Sequence, residues 1–241
     1  MPYKFQLHEE NISSLKTGDI LLGSTFPSLF LLNKDFYGFL NTFAEKYIAR
    51  FKISHVCLVV VRNNHHLLLE ASINPHRDIE TGIVSGCKLV DMNERIEAYP
   101  GELRARHLIL TGGGERRLEI ERNIEKVISK YRGRPFKKSM LEMFKAYYCG
   151  EHYCKPGIAN TTNESSLFCS ELIAAVYQHL GLLKFPPDGP HSNEYIPPYF
   201  SSSDPIGKKL NLANACLSDE ILIKTRKSAM PSRQLLFKEK L

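Results

Sequence analysis

The sequence predicts an α+β protein, and three observations carry that reading. Two apolar runs, 53–61 and 67–71, flank Asn63-Asn64. Asn tolerates the positive φ of tight hairpin turns, so the pair reads as a β-hairpin. From Cys169 onward, Leu172, Ile173, Val176, Tyr177 and Leu180 trace one helical face, and Gly181 supplies a helix stop. Residues 115–131 read as a second, charged amphipathic helix with Leu118, Ile120, Ile124, Val127 and Ile128 inward.

The remaining elements follow in chain order. Residues 15–23 look like a turn feeding a short buried strand. Residues 26–51 are aromatic-rich, with Phe36, Phe39, Leu40, Phe43 and Tyr47 at helical spacing. Further strands are expected over 84–90 and 103–110, the second bounded by Gly112-Gly113-Gly114. That triplet reads as a loop and not as a phosphate cradle, because no Lys-Ser/Thr follows it. Around 132–167 the chain is irregular, Pro186-Pro187, Gly189-Pro190 and Pro197-Pro198 mark a long rigid loop, and one last strand is expected over 220–224 before a polar basic tail. No internal repeat and no second-domain boundary appears, so residues 1–241 are expected to form one domain.

Bulk properties narrow the function classes. Hydrophobic content of 43% and charged content of 24% are ordinary for a globular protein. The net charge of +6 comes from scattered Lys and Arg. It suits a solvated surface or weak attraction to anionic lipid, while nucleic acid is disfavoured for want of a dense basic run. The first ten residues lack the layout of a secretion signal, and no apolar stretch approaches the length of a membrane span. Six irregularly spaced cysteines then imply free thiols in a reducing compartment. The expectation is a cytoplasmic protein with at most peripheral membrane contact.

The chemistry-bearing residues are His55, opening an apolar strand, and Cys169, in the first turn of an apolar-faced helix. A thiol nucleophile needs a base within reach and a positive electrostatic environment, and helix N-termini supply the second. Unpaired N–H groups of that first turn also suit a developing oxyanion. A turn centred on Asn63-Asn64 sets residue 62 opposite 65 and residue 57 opposite 70. Alternation then places His55, Cys57 and Glu70 on one face, with Glu70 diagonal to His55 and able to orient its ring. A change of one residue in loop length would reverse the parity. Rival clusters are weaker. Cys149, His152 and Cys154 lack the fourth ligand of a structural zinc site. His65-His66 falls at the hairpin tip, and His191 and Asn193 lie in the proline loop, where surface polarity explains them as well as a substrate cleft does.

At these residues the chain resembles the circularly permuted papain-like group of the NlpC-type superfamily, namely the YiiX-like proteins and their eukaryotic and poxviral relatives. The matching pieces are Lys16-Thr17-Gly18-Asp19-Ile20-Leu21, Ser54-His55-Val56, Leu69-Glu70-Ala71, Tyr131-Arg132-Gly133-Arg134-Pro135-Phe136, Phe168-Cys169-Ser170-Glu171-Leu172 and Asn193-Glu194-Tyr195-Ile196-Pro197. Together they cover about residues 14–200, leaving 201–241 as a C-terminal extension. The His-before-Cys order is that of the permuted group. The resemblance implies a small antiparallel sheet packed against the nucleophile helix, with Cys169 as nucleophile, His55 as base and Glu70 as orienting acid. It further suggests Asp19, Ser170, Asn193 and Tyr195 as substrate-binding residues. The implied reaction is amide or ester cleavage, or acyl transfer, through a thioester, with no metal or organic cofactor. Substrates expected on this basis are a small molecule, a lipid or N-acylated compound, or a peptide. Phe168 and Ser170 flank the cysteine, unlike the Asn-Cys-Glu-His motif of the lecithin–retinol acyltransferase branch. A peptidase acting on peptide or isopeptide bonds and a catalytically silent binding module are the other readings.

Overall fold

A computed structural model describes residues 5–24, 52–137, 166–204 and 210–226. Its main sheet has seven strands in the order β1-β9-β6-β2-β3-β4-β5, every neighbouring pair antiparallel. These are β1 (Phe5–Leu7), β2 (Ile20–Ser24), β3 (His55–Arg62), β4 (His65–Ser72), β5 (Gly86–Asp91), β6 (Glu102–Arg106) and β9 (Ile221–Arg226). A two-stranded sheet pairs β7 (Leu108–Leu110) with β8 (Ala215–Leu217). Four α-helices are described: α1 (Glu9–Ser13), α2 (Met92–Ala98), α3 (Gly113–Tyr131) and α4 (Cys169–His179). The mixed α+β class with an antiparallel sheet is as expected.

The hairpin forms in the anticipated register. Arg62 stands opposite His65 and Leu58 opposite Leu69, while Asn63 and Asn64 take φ of 50° and 62°. Two successive positive φ angles are what a two-residue hairpin turn of this hand needs. Alternation sorts the central strands between two cores. Ile20, Leu22, Val56, Leu58, Val60, Leu67 and Leu69 face α3 and α4, whereas Leu21, Cys57, Val59, Leu68 and Val90 face Met92, Ile96 and Tyr99 of the α2 region. Both faces are covered, which explains continuous apolar runs where a half-exposed sheet would alternate.

Several expectations change. The strand expected over 103–110 is two strands broken at His107. Asp19 takes the His107 ring at 2.8 Å and the Leu108 N–H at 2.9 Å, which turns the chain out of the main sheet toward β8. The glycine triplet opens a helix: Gly112 caps it with φ of 99° and Gly113 and Gly114 form its first turn. Leu118 is exposed, not inward. It lies about 200° around the helix from Ile120, on which the buried set Ile120, Ile124, Val127, Ile128 and Tyr131 is phased. The proline segment is no plain loop, since it contains two 3₁₀ turns (Ser192–Glu194 and Pro197–Phe200), the second fully buried. Strand β9, from beyond residue 200, lies inside the main sheet between β1 and β6. The segment 26–51, the rival cluster Cys149, His152 and Cys154, and the tail beyond 226 fall outside the described residues. Among the described residues, no helix is long and apolar enough to cross a membrane.

Candidate active site

Glu70 is completely buried on β4, and everything around it is arranged to keep it ionised. Its Oε2 accepts from His55 Nε2 at 2.9 Å and from the Cys57 thiol at 3.5 Å. Its Oε1 accepts from Ser72 Oγ at 3.0 Å and Asn74 Nδ2 at 2.5 Å. Arg95 Nε, from α2, donates to both oxygens at 3.2 Å. Burial alone would push this carboxyl upward; the Arg95 guanidinium, with the bonds from His55 and Asn74, holds it well below the ordinary carboxylate range instead.

An ionised carboxylate only accepts, so His55 Nε2 carries its proton toward Glu70. Nδ1 is then the nitrogen left for a thiol. Burial disfavours the imidazolium, yet the neighbouring Cys57 and Cys169 side chains hold the ring well above its ordinary pKa. The two thiols differ in setting. Cys57 lies in the α2-side core, where burial and the Glu70 charge keep its thiol protonated beyond the usual range despite His55. Cys169 is the first residue of α4 and packs on the opposite face. His55 is the first residue of β3, and its ring nitrogen, the Cys57 thiol and a Glu70 oxygen lie within 4.8 Å of one another.

The start of α4 is set by its own sequence. Phe168 N–H donates to the Glu171 carboxylate at 3.3 Å, half of a capping box, and Leu172 N–H closes the first turn on the Phe168 carbonyl. Glu171 is also paired with Lys137 at 3.0 Å. The glutamate of the Cys-Ser-Glu-Leu segment thus serves as a cap. The N–H groups of Cys169 and Ser170 precede the intrahelical ladder and belong to the set that a helix leaves without a partner of its own.

The suggested substrate-binding residues are dispersed. Both oxygens of Asp19 are engaged, by the N–H groups of Lys16 and Leu108, the His107 ring and Arg117 at 3.7 Å. Ser170 is buried at the start of α4. Tyr195 is nearly buried, edge-on to Tyr199, and together with Leu183, Lys184 and Glu194 lines a cleft of about 420 Å³. That cleft adjoins the C-terminal end of α4, about 16 Å along the helix from Cys169. Asn193 belongs to the first 3₁₀ turn.

Sequence reasoning missed Arg95, Ser72, Asn74 and Lys88. Ser72 was within reach, two residues beyond Glu70 on the same face of its strand. Helix α2 had a signal as well, because Asp91 caps it by accepting the Glu94 N–H at 2.8 Å, in an Asp-x-x-Glu pattern. Nothing local marks Arg95 as the partner of a carboxylate 25 residues earlier.

His55, Cys57 and Glu70 also offer three ligand atoms within 4.8 Å of one another, a spacing that a metal ion could use. The donor set does not suit one. Glu70 already has donors on both oxygens, and a divalent cation there would stand against the Arg95 guanidinium. Cys57 would have to lose a proton that its burial holds firmly.

No protein-family model and no curated protein matches the chain. Among solved structures it is similar to the crystal structure of metalloprotein yiiX from Escherichia coli O157:H7, DUF1105. Identity is 18%, the match covers 68% of this chain and 66% of that one, and the TM-score is 0.42. At that level the likeness carries no assignment of function, which rests on the residues of the site themselves.

Proposed function

We propose that the protein is a thiol hydrolase or acyltransferase that cleaves amide or ester bonds through a Cys169–His55–Glu70 triad. One observation carries the reading: a buried carboxylate takes one nitrogen of an imidazole at 2.9 Å, and a cysteine at the first position of a helix is among the groups that raise the pKa of that ring. His55 Nδ1 takes the thiol proton, and Cys169 Sγ attacks the carbonyl carbon. The N–H groups at the start of α4 hold the oxyanion. His55 then protonates the leaving amine or alcohol, leaving a thioester, and water or an acceptor alcohol or amine resolves it with His55 as base. The motif resemblance to the permuted papain-like group supports the same roles. No step is routed through a metal. Substrates in this proposal are small molecules, lipids or peptides bearing an acyl bond, met in the cytoplasm or at a membrane surface.

The test is limited iodoacetamide labelling of the native protein from pH 5 to 9, read residue by residue by mass spectrometry, for wild type and His55→Ala. Cys169 is expected to label ahead of the other thiols below the free-cysteine pKa of about 8.5 and to lose that lead without His55. Uniform labelling, or a Cys169 inert in the native protein, would favour a catalytically silent binding module.

A further inference from the structure

The strongest partner of Glu70 lies outside the triad. Arg95 projects from α2, on the face of the sheet away from the Cys169 helix, and is itself nearly buried at 7% exposure. Its guanidinium is stacked over the Tyr99 ring at 5.0 Å while Nε bridges both Glu70 oxygens. A second brace holds the other side. Asn74 donates to Oε1, and its own Oδ1 accepts from Lys88 Nζ at 2.8 Å. Lys88 stands opposite Glu70 on β5 and is further tied to the carbonyls of Asn74, His76 and Val84.

We propose that Arg95 is a positioning residue for the Cys169–His55 pair: it clamps Glu70 from the far face of the sheet, and so fixes which nitrogen of His55 faces the thiol. The proposal rests on the nucleophile-and-base reading above. The physical argument concerns the proton. A buried carboxyl and imidazole left to themselves titrate as one unit, and the proton moves between them. A second, permanently charged partner keeps the carboxylate ionised in both states of the ring. Nε2 then retains its hydrogen throughout, and basicity is confined to Nδ1. Burying an arginine for stability alone is a poor bargain, since an apolar pair of similar volume commonly does as well.

The charged and titratable groups around the pair come from each element packed on it. They are Cys57 from β3, Cys87 and Lys88 from β5, Arg95 and Tyr99 from α2 and its C-terminus, His76 from the loop after β4, and Cys169 from α4. Of these, Arg95 combines a charge fixed at every working pH with direct bonds to both Glu70 oxygens.

The experiment follows the Glu70 carboxyl by ¹³C NMR from pH 3 to 8, with the resonance assigned through Glu70→Gln. The same samples report iodoacetamide labelling of Cys169, with the exposed free thiol of Cys216 as internal reference. The proteins are wild type, Arg95→Lys, Arg95→Met and Arg95→Met/Glu70→Gln. In Arg95→Met the Glu70 titration is expected to rise by about 1–3 pH units. Its Cys169 labelling at pH 6 should fall about tenfold, the ratio that one pH unit represents. Arg95→Lys restores the charge and keeps Glu70 low, but regains only part of the labelling rate because it lacks the bridging Nε. The double variant should label no more slowly than Glu70→Gln alone. Arg95→Met with a native melt, an unmoved Glu70 and wild-type labelling would overturn the proposal and leave Arg95 as packing. Should Arg95→Met fail to fold, the double variant decides, since it leaves no buried charge unpaired; additive losses there overturn the proposal. Wild-type Cys169 labelling no faster than Cys216 at pH 6 would instead sink the nucleophile reading, whatever Glu70 does.

Discussion

At the scale of single residues, Glu70 is where the bonds of the candidate site converge. One carboxylate receives an imidazole, a guanidinium, an amide, a hydroxyl and a thiol, with no exposure to water. Its bond to His55 occupies Nε2 and leaves Nδ1 as the nitrogen that the proposed mechanism uses as base. Glu70→Gln keeps the volume and removes the charge. It is expected to lower the rate of acyl-bond cleavage by about 10²–10⁴-fold, the usual contribution of a positioned acid–base group. Turnover of an activated acyl ester checks this, and a change of less than threefold would remove Glu70 from the mechanism. Cys87 is the contrasting thiol. Burial drives its pKa to about 12, and it should remain unmodified until the protein unfolds.

At the scale of elements, the β3–β4 hairpin sets the parity that brings His55, Cys57 and Glu70 together, and β2 supplies the clearance beside them. Gly23 lies opposite His55, and a methyl group at that position would overlap the Tyr99 hydroxyl. Tyr99 follows α2 and carries the stacked Arg95, so the bare backbone at Gly23 lets α2 approach the sheet closely enough to reach Glu70. Gly23→Ala is expected to cost about 1–3 kcal/mol, the range for overpacking a filled core. It should also slow Cys169 labelling, because Tyr99 must move and Arg95 with it. Urea unfolding and the labelling rate test the two halves, and an unchanged midpoint would show that α2 has slack.

At the scale of the whole molecule, buried charge makes stability depend on pH. The raised pKa of His55 contributes stability that is complete below its ordinary value of 6.5 and is lost as pH rises through the folded value. The depressed pKa of Glu70 contributes stability that is complete above 4.5 and is lost as pH falls through its folded value. Both contributions are therefore complete between pH 4.5 and 6.5. The melting-temperature deficit of Glu70→Gln should be widest in that window and should narrow above it as His55 gives up its proton. Thermal melts of both proteins at a series of pH values provide the check; a deficit that widens from pH 6.5 to 9 would contradict it. Lys88 acts at the alkaline end. Burial lowers it to about 8 from 10.5, so between those values the unfolded chain binds more protons and its contribution to stability grows with pH.

The sequence by itself determined the parts whose physics is local. Asn63-Asn64 dictates a tight turn, the turn dictates the register, and strict alternation then sets His55, Cys57 and Glu70 on one face. The helix beginning at Cys169 was legible for the same reason, since apolar stripe and stop glycine lie close together in the chain. Only the tertiary structure decided what those residues meet. Asp19 braces β7 by reaching a histidine 88 residues away, and Tyr195 faces a cleft at the wrong end of α4 for Cys169. Arg95 becomes the keeper of Glu70 because Gly23 lets its helix close on the sheet. Such pairings depend on how two faces come together in space, and a period of 2.0 or 3.6 says which face a side chain occupies without naming its partner.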